Sequence, residues 1–213
     1  MSDLSDDLQH LEEFWSQRAT KLSDDCAKVD TSARSQRMRF EGFLQFNDVR
    51  GRTLLDVGCG VGDLYADLQR RGIACDYCGF DLSSEMAQRC RERFPDAEFF
   101  SGDFLQWEPG QRFDFVAAIA IHNVKVSNAW EILRRTTERQ FALCNTAAHL
   151  SLLTDRHKGF DPHIQAWCVE EVLTMALEIT PFVLLRHEYL PHDFGVTLYR
   201  EPLIDTRPDL LLD

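Results

Sequence analysis

A chain of 213 residues, 44% hydrophobic and 27% charged, is long enough for one globular domain with a sizeable core and too short for two full ones. Its formal net charge of −12, from 35 acids against 23 Lys plus Arg, gives a field that repels phosphate backbones and counts against nucleic acid as a partner. No stretch approaches the ~20 apolar residues of a membrane span, and the acidic N-terminus lacks the basic and apolar regions of a signal peptide; no membrane partner and a cytoplasmic location are expected.

Residues 1–50 precede the first strand and read as a helical extension or lid. Leu8, Leu11, Phe14, Trp15 and Ala19 recur at helical spacing, with Asp6 and Asp7 placed to favour a helix N-terminus. After a polar link, Ser32 to Phe46 predicts a second helix with Met38, Phe43 and Phe46 inward and Arg34, Arg37 and Arg39 set out. Arg39 lies closest to the inward residues and is the arginine best placed to meet a ligand carboxylate. Residues 51–200 read as the main domain and 201–213 as a tail.

The main domain begins with an apolar run, Leu54 to Val57, that breaks into alternating glycines at Gly58, Gly60 and Gly62 before an amphipathic stretch from Leu64. This predicts a strand, a tight turn and a helix whose N-terminus a ligand can approach. The dinucleotide pattern G-x-G-x-x-G needs a glycine at position 63, where Asp63 stands. Acids at Asp56 and Asp63 suit a ligand with a cationic part better than a pyrophosphate.

Asp76 to Asp81 predicts a second strand that closes on an acid, the position from which α/β sheets hold ribose hydroxyls; an N-cap role for Asp81 competes, with Ser83 and Ser84 also able to cap. A helix from Ser84 to Phe94 and a strand over 97–100 lead to Gly102-Asp103-Phe104. Phe113 to Ile121, which includes Ala118, is a nearly continuous apolar run, as for a parallel strand buried on both faces, and ends in His122-Asn123 at the ligand-binding end of the sheet. A helix over 128–138 precedes a strand over 141–146. The segment from Ala148 to Gln165, with His149, Asp155, Arg156 and His157, reads as too polar for the core and as a long loop, either simply exposed or forming a wall of a ligand pocket. A helix from Trp167 to Ile179 is followed by two strands, Phe182 to Tyr189 and Phe194 to Arg200, whose short connection makes them antiparallel. Seven cysteines, an odd number in apolar contexts, read as small buried hydrophobes; Cys75 and Cys78 have C-x-x-C spacing without a second ligand pair, and no metal site is expected.

Asp56, Gly58, Gly60 and Gly62 match the D-x-G-x-G-x-G motif of the class I S-adenosylmethionine (SAM) methyltransferases, and the chain resembles that family, in its small single-domain bacterial form. Gly79-Phe80-Asp81-Leu82-Ser83-Ser84-Glu85-Met86 is similar to the family's G-x-D-x-S-x-x-M, and Gly102-Asp103 to its G-D motif. The resemblance implies an α/β, Rossmann-like fold with a seven-stranded, mostly parallel sheet, helices on both faces and a C-terminal antiparallel hairpin whose last strand inserts between the fifth and sixth. It implies SAM as cofactor, held by Arg39, Asp56, Gly58, Gly60, Gly62, Asp81, Leu82, Met86, Asp103, Phe104 and Ala118, with Asp103 accepting from the adenine amino group and Met86 near the adenosine.

The Asn/Asp-Pro-Pro-Tyr motif of methyltransferases acting on nucleic-acid bases or protein glutamine is absent after Ile121, which favours a small-molecule acceptor methylated on oxygen or nitrogen. His122, Asn123, His149, Tyr189 and His192 are the catalytic candidates, with His122 best placed as a base and Asn123 to orient the acceptor. A non-catalytic SAM-binding partner subunit and an NAD-binding oxidoreductase are the alternatives.

Overall fold

The computed structural model describes residues 3–21 and 32–204. The call of a tail over 201–213 therefore lies outside the described residues beyond 204, as does the polar link between the first two helices over 22–31. Helices α1 (Leu4–Lys21) and α2 (Ala33–Leu44) come first; Ser32 caps α2, its side chain accepting from the backbone N–H of Ser35. Strands β1 (Thr53–Val57), β2 (Asp76–Asp81) and β3 (Glu98–Ser101) alternate with helices α3 (Asp63–Arg70) and α4 (Ser84–Arg93). Then come β4 (Phe113–Ile119), α5 (Ala129–Leu143), β5 (Cys144–Leu153), α6 (Val169–Ile179) and the hairpin of β6 (Val183–Leu190) and β7 (Asp193–Tyr199).

The seven strands form one sheet in the order β3-β2-β1-β4-β5-β7-β6. The pairs from β3 to β5 are parallel, and β7 runs antiparallel to both β5 and β6, between which it is inserted. The chain order reverses between β1 and β4, and at such a crossover the carboxyl ends of the strands leave a crevice. Both faces of the sheet are covered. One core gathers Phe40 and Phe43 of α2, Leu64 and Leu68 of α3 and Cys90 of α4, and the other Leu133 of α5 with Val172, Met175 and Ala176 of α6. β4 is buried almost throughout, as its apolar run requires of a strand covered on both sides.

Two elements differ from the sequence expectation. β5 runs ten residues rather than ending at Thr146, and Ala147 to Thr154 are buried. His149 and Ser151 therefore lie inside the sheet, not in a polar loop; they are tolerated there because each finds a partner on β7, Thr197 Oγ1 for His149 Nδ1 and Asp193 Oδ1 for Ser151 Oγ, both at 2.8 Å. The polar loop is accordingly shorter. α5 extends to Leu143, beyond the expected end at Glu138, because Gln140 and Leu143 continue its buried face.

Candidate functional site

At the carboxyl ends of β1, β2 and β4 lies a cavity of about 220 Å³. Its floor is the glycine turn. Gly58, Gly60 and Gly62 all adopt positive φ, but for different reasons. A Cβ on Gly58 would stand 2.1 Å from Ile121 Cγ2, and one on Gly62 2.7 Å from the Phe94 ring, so these two let the segment after β4 and the C-cap of α4 pack against the turn. A Cβ on Gly60 meets nothing within 4 Å, which leaves that backbone open to the cavity. Gly62 is also the N-cap of α3, whose free N–H groups favour negative or polar atoms.

Asp81, at the end of β2, accepts from the backbone N–H of Gly60 (2.8 Å) and of Ser83 (2.9 Å), while the Ser83 side chain caps α4. The competing N-cap role thus belongs to Ser83, and Asp81 ties the two loops together. Burial pushes its carboxyl up to about 6. Asp56, at the buried end of β1, accepts from the Tyr77 hydroxyl at 2.7 Å; burial, with the nearby charges of Asp81 and Asp63 adding to it, pushes its carboxyl up to about 7. Asp63 differs from expectation, its carboxylate being met by Arg93 (3.0 Å) and Gln36 (2.9 Å) of the chain itself. Asp103 accepts from the backbone N–H of Leu105 and from Gln106, and Phe104 packs against Phe80 with ring centroids 5.6 Å apart.

Leu8, Leu11 and Trp15 of α1 form one wall. The helix is held at one end by Asp7, which accepts from the backbone and side-chain nitrogens of Asn128, and at the other by Ser16, bonded to Ser83 and Glu85. The segment after β4 supplies Ile121 and His122. Ala120 has φ +62°, a conformation that residues with a Cβ seldom take, next to this wall. His122 is buried, its carbonyl accepts from Trp167 Nε1 at 2.9 Å, and its own Nε2 has no partner among the described residues. Burial pushes its imidazole down to about 4.

Of the residues expected to hold the cofactor, Arg39, Asp56, Gly58, Gly60, Asp81, Leu82, Met86, Asp103 and Phe104 line the cavity. Gly62 and Ala118 do not; the first packs against Phe94 and the second is buried in β4. Of the catalytic candidates only His122 lines it. Asn123 folds back to donate to the Ala120 carbonyl. His149 lies in the sheet against Phe43, and burial pushes its imidazole down to about 3. Tyr189 donates to Asp193 Oδ1 at 2.8 Å, and His192 is half-buried beside His157. Arg39 does meet a carboxylate, that of Asp193, through Nε at 2.6 Å. These polar residues form a buried cluster around Asp193, which accepts from Arg39, Ser151 and Tyr189. The sequence reading missed Leu8, Leu11 and Trp15 as cavity residues, although their spacing along one face of α1 was visible, and it missed Asp193, for which no local signal exists.

Residues 54–139 match a family model described as a methyltransferase domain. The matched segment holds β1 to β4 and most of α5, and with them the glycine turn, Asp81, Asp103 and His122. Trans-aconitate 2-methyltransferase of Afipia carboxidovorans is 35% identical over 77 residues, 36% of this chain and 30% of that protein. The enzyme of the same name from Escherichia coli K12 is 38% identical over 65 residues, 30% of this chain and 26% of that protein. The chain thus matches less than a third of the length of these relatives. Among solved structures, the SAM complex of magnesium protoporphyrin IX methyltransferase from Synechocystis superposes with a TM-score of 0.70 at 12% identity, covering 94% of this chain and 100% of that one. A DhpI–SAM–HEP complex gives 0.66 at 18% identity, covering 94% and 100%. The chain therefore shares the Rossmann-like fold of these structures.

Proposed function

We propose that this chain is a SAM-dependent methyltransferase acting on a small-molecule acceptor through oxygen or nitrogen. The observation that carries the reading is the convergence of an open Gly60 backbone, Asp81 and Asp103 on one cavity. The residues fit the cofactor. Four carboxyls line the cavity, and burial raises two of them, Asp56 to about 7 and Asp81 to about 6, a cost of charging that a cationic ligand offsets. Asp81 keeps lone pairs for ribose hydroxyls beside its two backbone bonds, and Met86 and Phe104 offer apolar surface to a base. When bound, SAM would supply a methyl group activated by its positively charged sulfur.

What remains for the chain is alignment, exclusion of water and disposal of the acceptor's proton. The apolar wall of α1 excludes water. His122, neutral at pH 7, accepts a hydrogen bond from the acceptor's O–H or N–H at Nε2 and orients its lone pair. An imidazole held near 4 is a weak proton sink, so orientation is the larger part of its role. The relatives differ in the acceptors their names carry, trans-aconitate in one case and magnesium protoporphyrin IX in another, and the acceptor of this chain is a small molecule in keeping with both.

Calorimetric titration with SAM, with its demethylated product S-adenosylhomocysteine (SAH) and with NAD tests the reading. Binding of the first two and not of NAD is expected. Binding of NAD, or of none of the three, overturns it.

A further inference from the structure

We propose that the acceptor is an uncharged, mainly apolar molecule presenting one O–H or N–H, and that carboxylate-rich acceptors are turned away. The inference rests on the methyltransferase reading and goes on to the acceptor's chemistry. Arg39 is the only cationic side chain among the described residues that line the cavity, against the carboxyls of Asp56, Asp81 and Asp103, with that of Asp63 already paired to Arg93. The Arg39 guanidinium is tied to buried Asp193, so its charge is already answered from within the chain. An acceptor carboxylate entering here gives up water and meets acids, and a buried charge without a partner is strongly disfavoured.

The surfaces left for an acceptor point the same way. α1 presents Leu8, Leu11 and Trp15, and the segment after β4 presents Ile121. His122 also lines the cavity, a residue only 8% exposed whose Nε2 has no partner among the described residues. Burial holds that ring neutral at pH 7, so it has one acceptor nitrogen to give to an acceptor's O–H or N–H, in the tautomer that leaves Nε2 unprotonated, and it offers no positive charge to an anion. A flat apolar molecule with a single hydroxyl satisfies the walls and the imidazole together, and a tricarboxylate satisfies neither.

The test uses the full chain saturated with SAH, titrated with 2-naphthol and with trans-aconitate at pH 7. The expected result is a Kd for 2-naphthol at least tenfold below that for trans-aconitate. Equal or tighter binding of trans-aconitate, or binding of neither compound up to millimolar concentration, overturns the proposal. If SAH itself does not bind, it is the methyltransferase reading that falls, and the preliminary SAH titration separates the two failures. His122→Gln is expected to weaken 2-naphthol at least threefold with SAH affinity unchanged; undiminished 2-naphthol affinity removes His122 from the acceptor site.

Discussion

The backbone N–H of Gly60 donates to Asp81 Oδ2 at 2.8 Å, so the turn after β1 and the acid that ends β2 are joined by a hydrogen bond between loops from neighbouring strands. Asp81 also accepts from Ser83, and through these bonds it sets the shape of the turn as well as offering its oxygens to a ligand. Asp81→Ala removes both contributions. Hydrogen bonds to a charged group are worth about 1.5–3 kcal/mol, so SAH affinity is expected to fall roughly ten- to hundredfold, with Asp81→Asn in between. Calorimetry on folded variants checks this, and an unchanged Kd for Asp81→Ala refutes the ribose role.

The two glycines on either side of Cys59 are expected to fail differently. Gly58→Ala sets a Cβ against Ile121 at positive φ, and overpacking plus the left-handed backbone cost about 2–4 kcal/mol of stability. Ile121→Ala should recover part of that loss. Gly60→Ala meets no neighbour and costs only about 1–2 kcal/mol from its backbone, yet its methyl projects into the cavity. Denaturant unfolding beside SAH titration distinguishes them: the first variant should lose mainly stability, the second mainly affinity. Normal SAH binding by Gly60→Ala means that the open space there is not ligand space.

Four buried titrating groups set opposing pH dependences on the unliganded chain. Asp56 and Asp81 keep protons up to about 7 and about 6 that unfolded carboxyls lose near 4, so their contribution to stability falls as pH rises across that window. His122 and His149 refuse protons down to about 4 and about 3 that unfolded imidazoles accept below about 6.5, so their contribution falls as pH drops. Between about pH 4 and 6.5 the two pairs oppose each other. Asp56→Asn removes one carboxyl from this balance, and its Tm should decline more steeply than that of the parent between pH 6.5 and 4.5. A shallower decline contradicts the assignment.

Asp193 accepts from Arg39, Ser151 and Tyr189 while fully buried. Asp193→Ala leaves the Arg39 charge without this partner in the interior and is expected to cost about 3–5 kcal/mol. Tyr189→Phe deletes one hydrogen bond, at about 1 kcal/mol, and should leave SAH affinity unchanged because Tyr189 does not line the cavity. Chemical denaturation and SAH titration of both variants give the comparison. A loss of SAH affinity in Tyr189→Phe brings this tyrosine back into the site.

The strand ends around the cavity were readable because their signals are local. Gly58, Gly60, Asp81 and Gly102-Asp103 each sit where an apolar run stops, and a run of that kind marks both the strand and the edge at which ligands meet it. The cluster around Asp193 was not readable. Arg39 and Asp193 are 154 residues apart, and nothing in either neighbourhood indicates the other. His149 was misplaced for a related reason: a histidine beside Ser151 looks like loop, and only the partners on β7 make it a strand residue. The catalytic candidates suffered most, since histidine and tyrosine identify a chemistry without a location.

Helix α1 is fixed to Ser83 and Glu85 at the start of α4 and to Asn128 at the start of α5, helices on opposite faces of the sheet. It spans the crevice like a bar bolted at both ends. Passage of a molecule through that wall requires at least one of these attachments to let go, so exchange by this route is expected to keep time with the loosening of the helix. Deuterium uptake along α1 and the SAH off-rate should then slow and quicken in step.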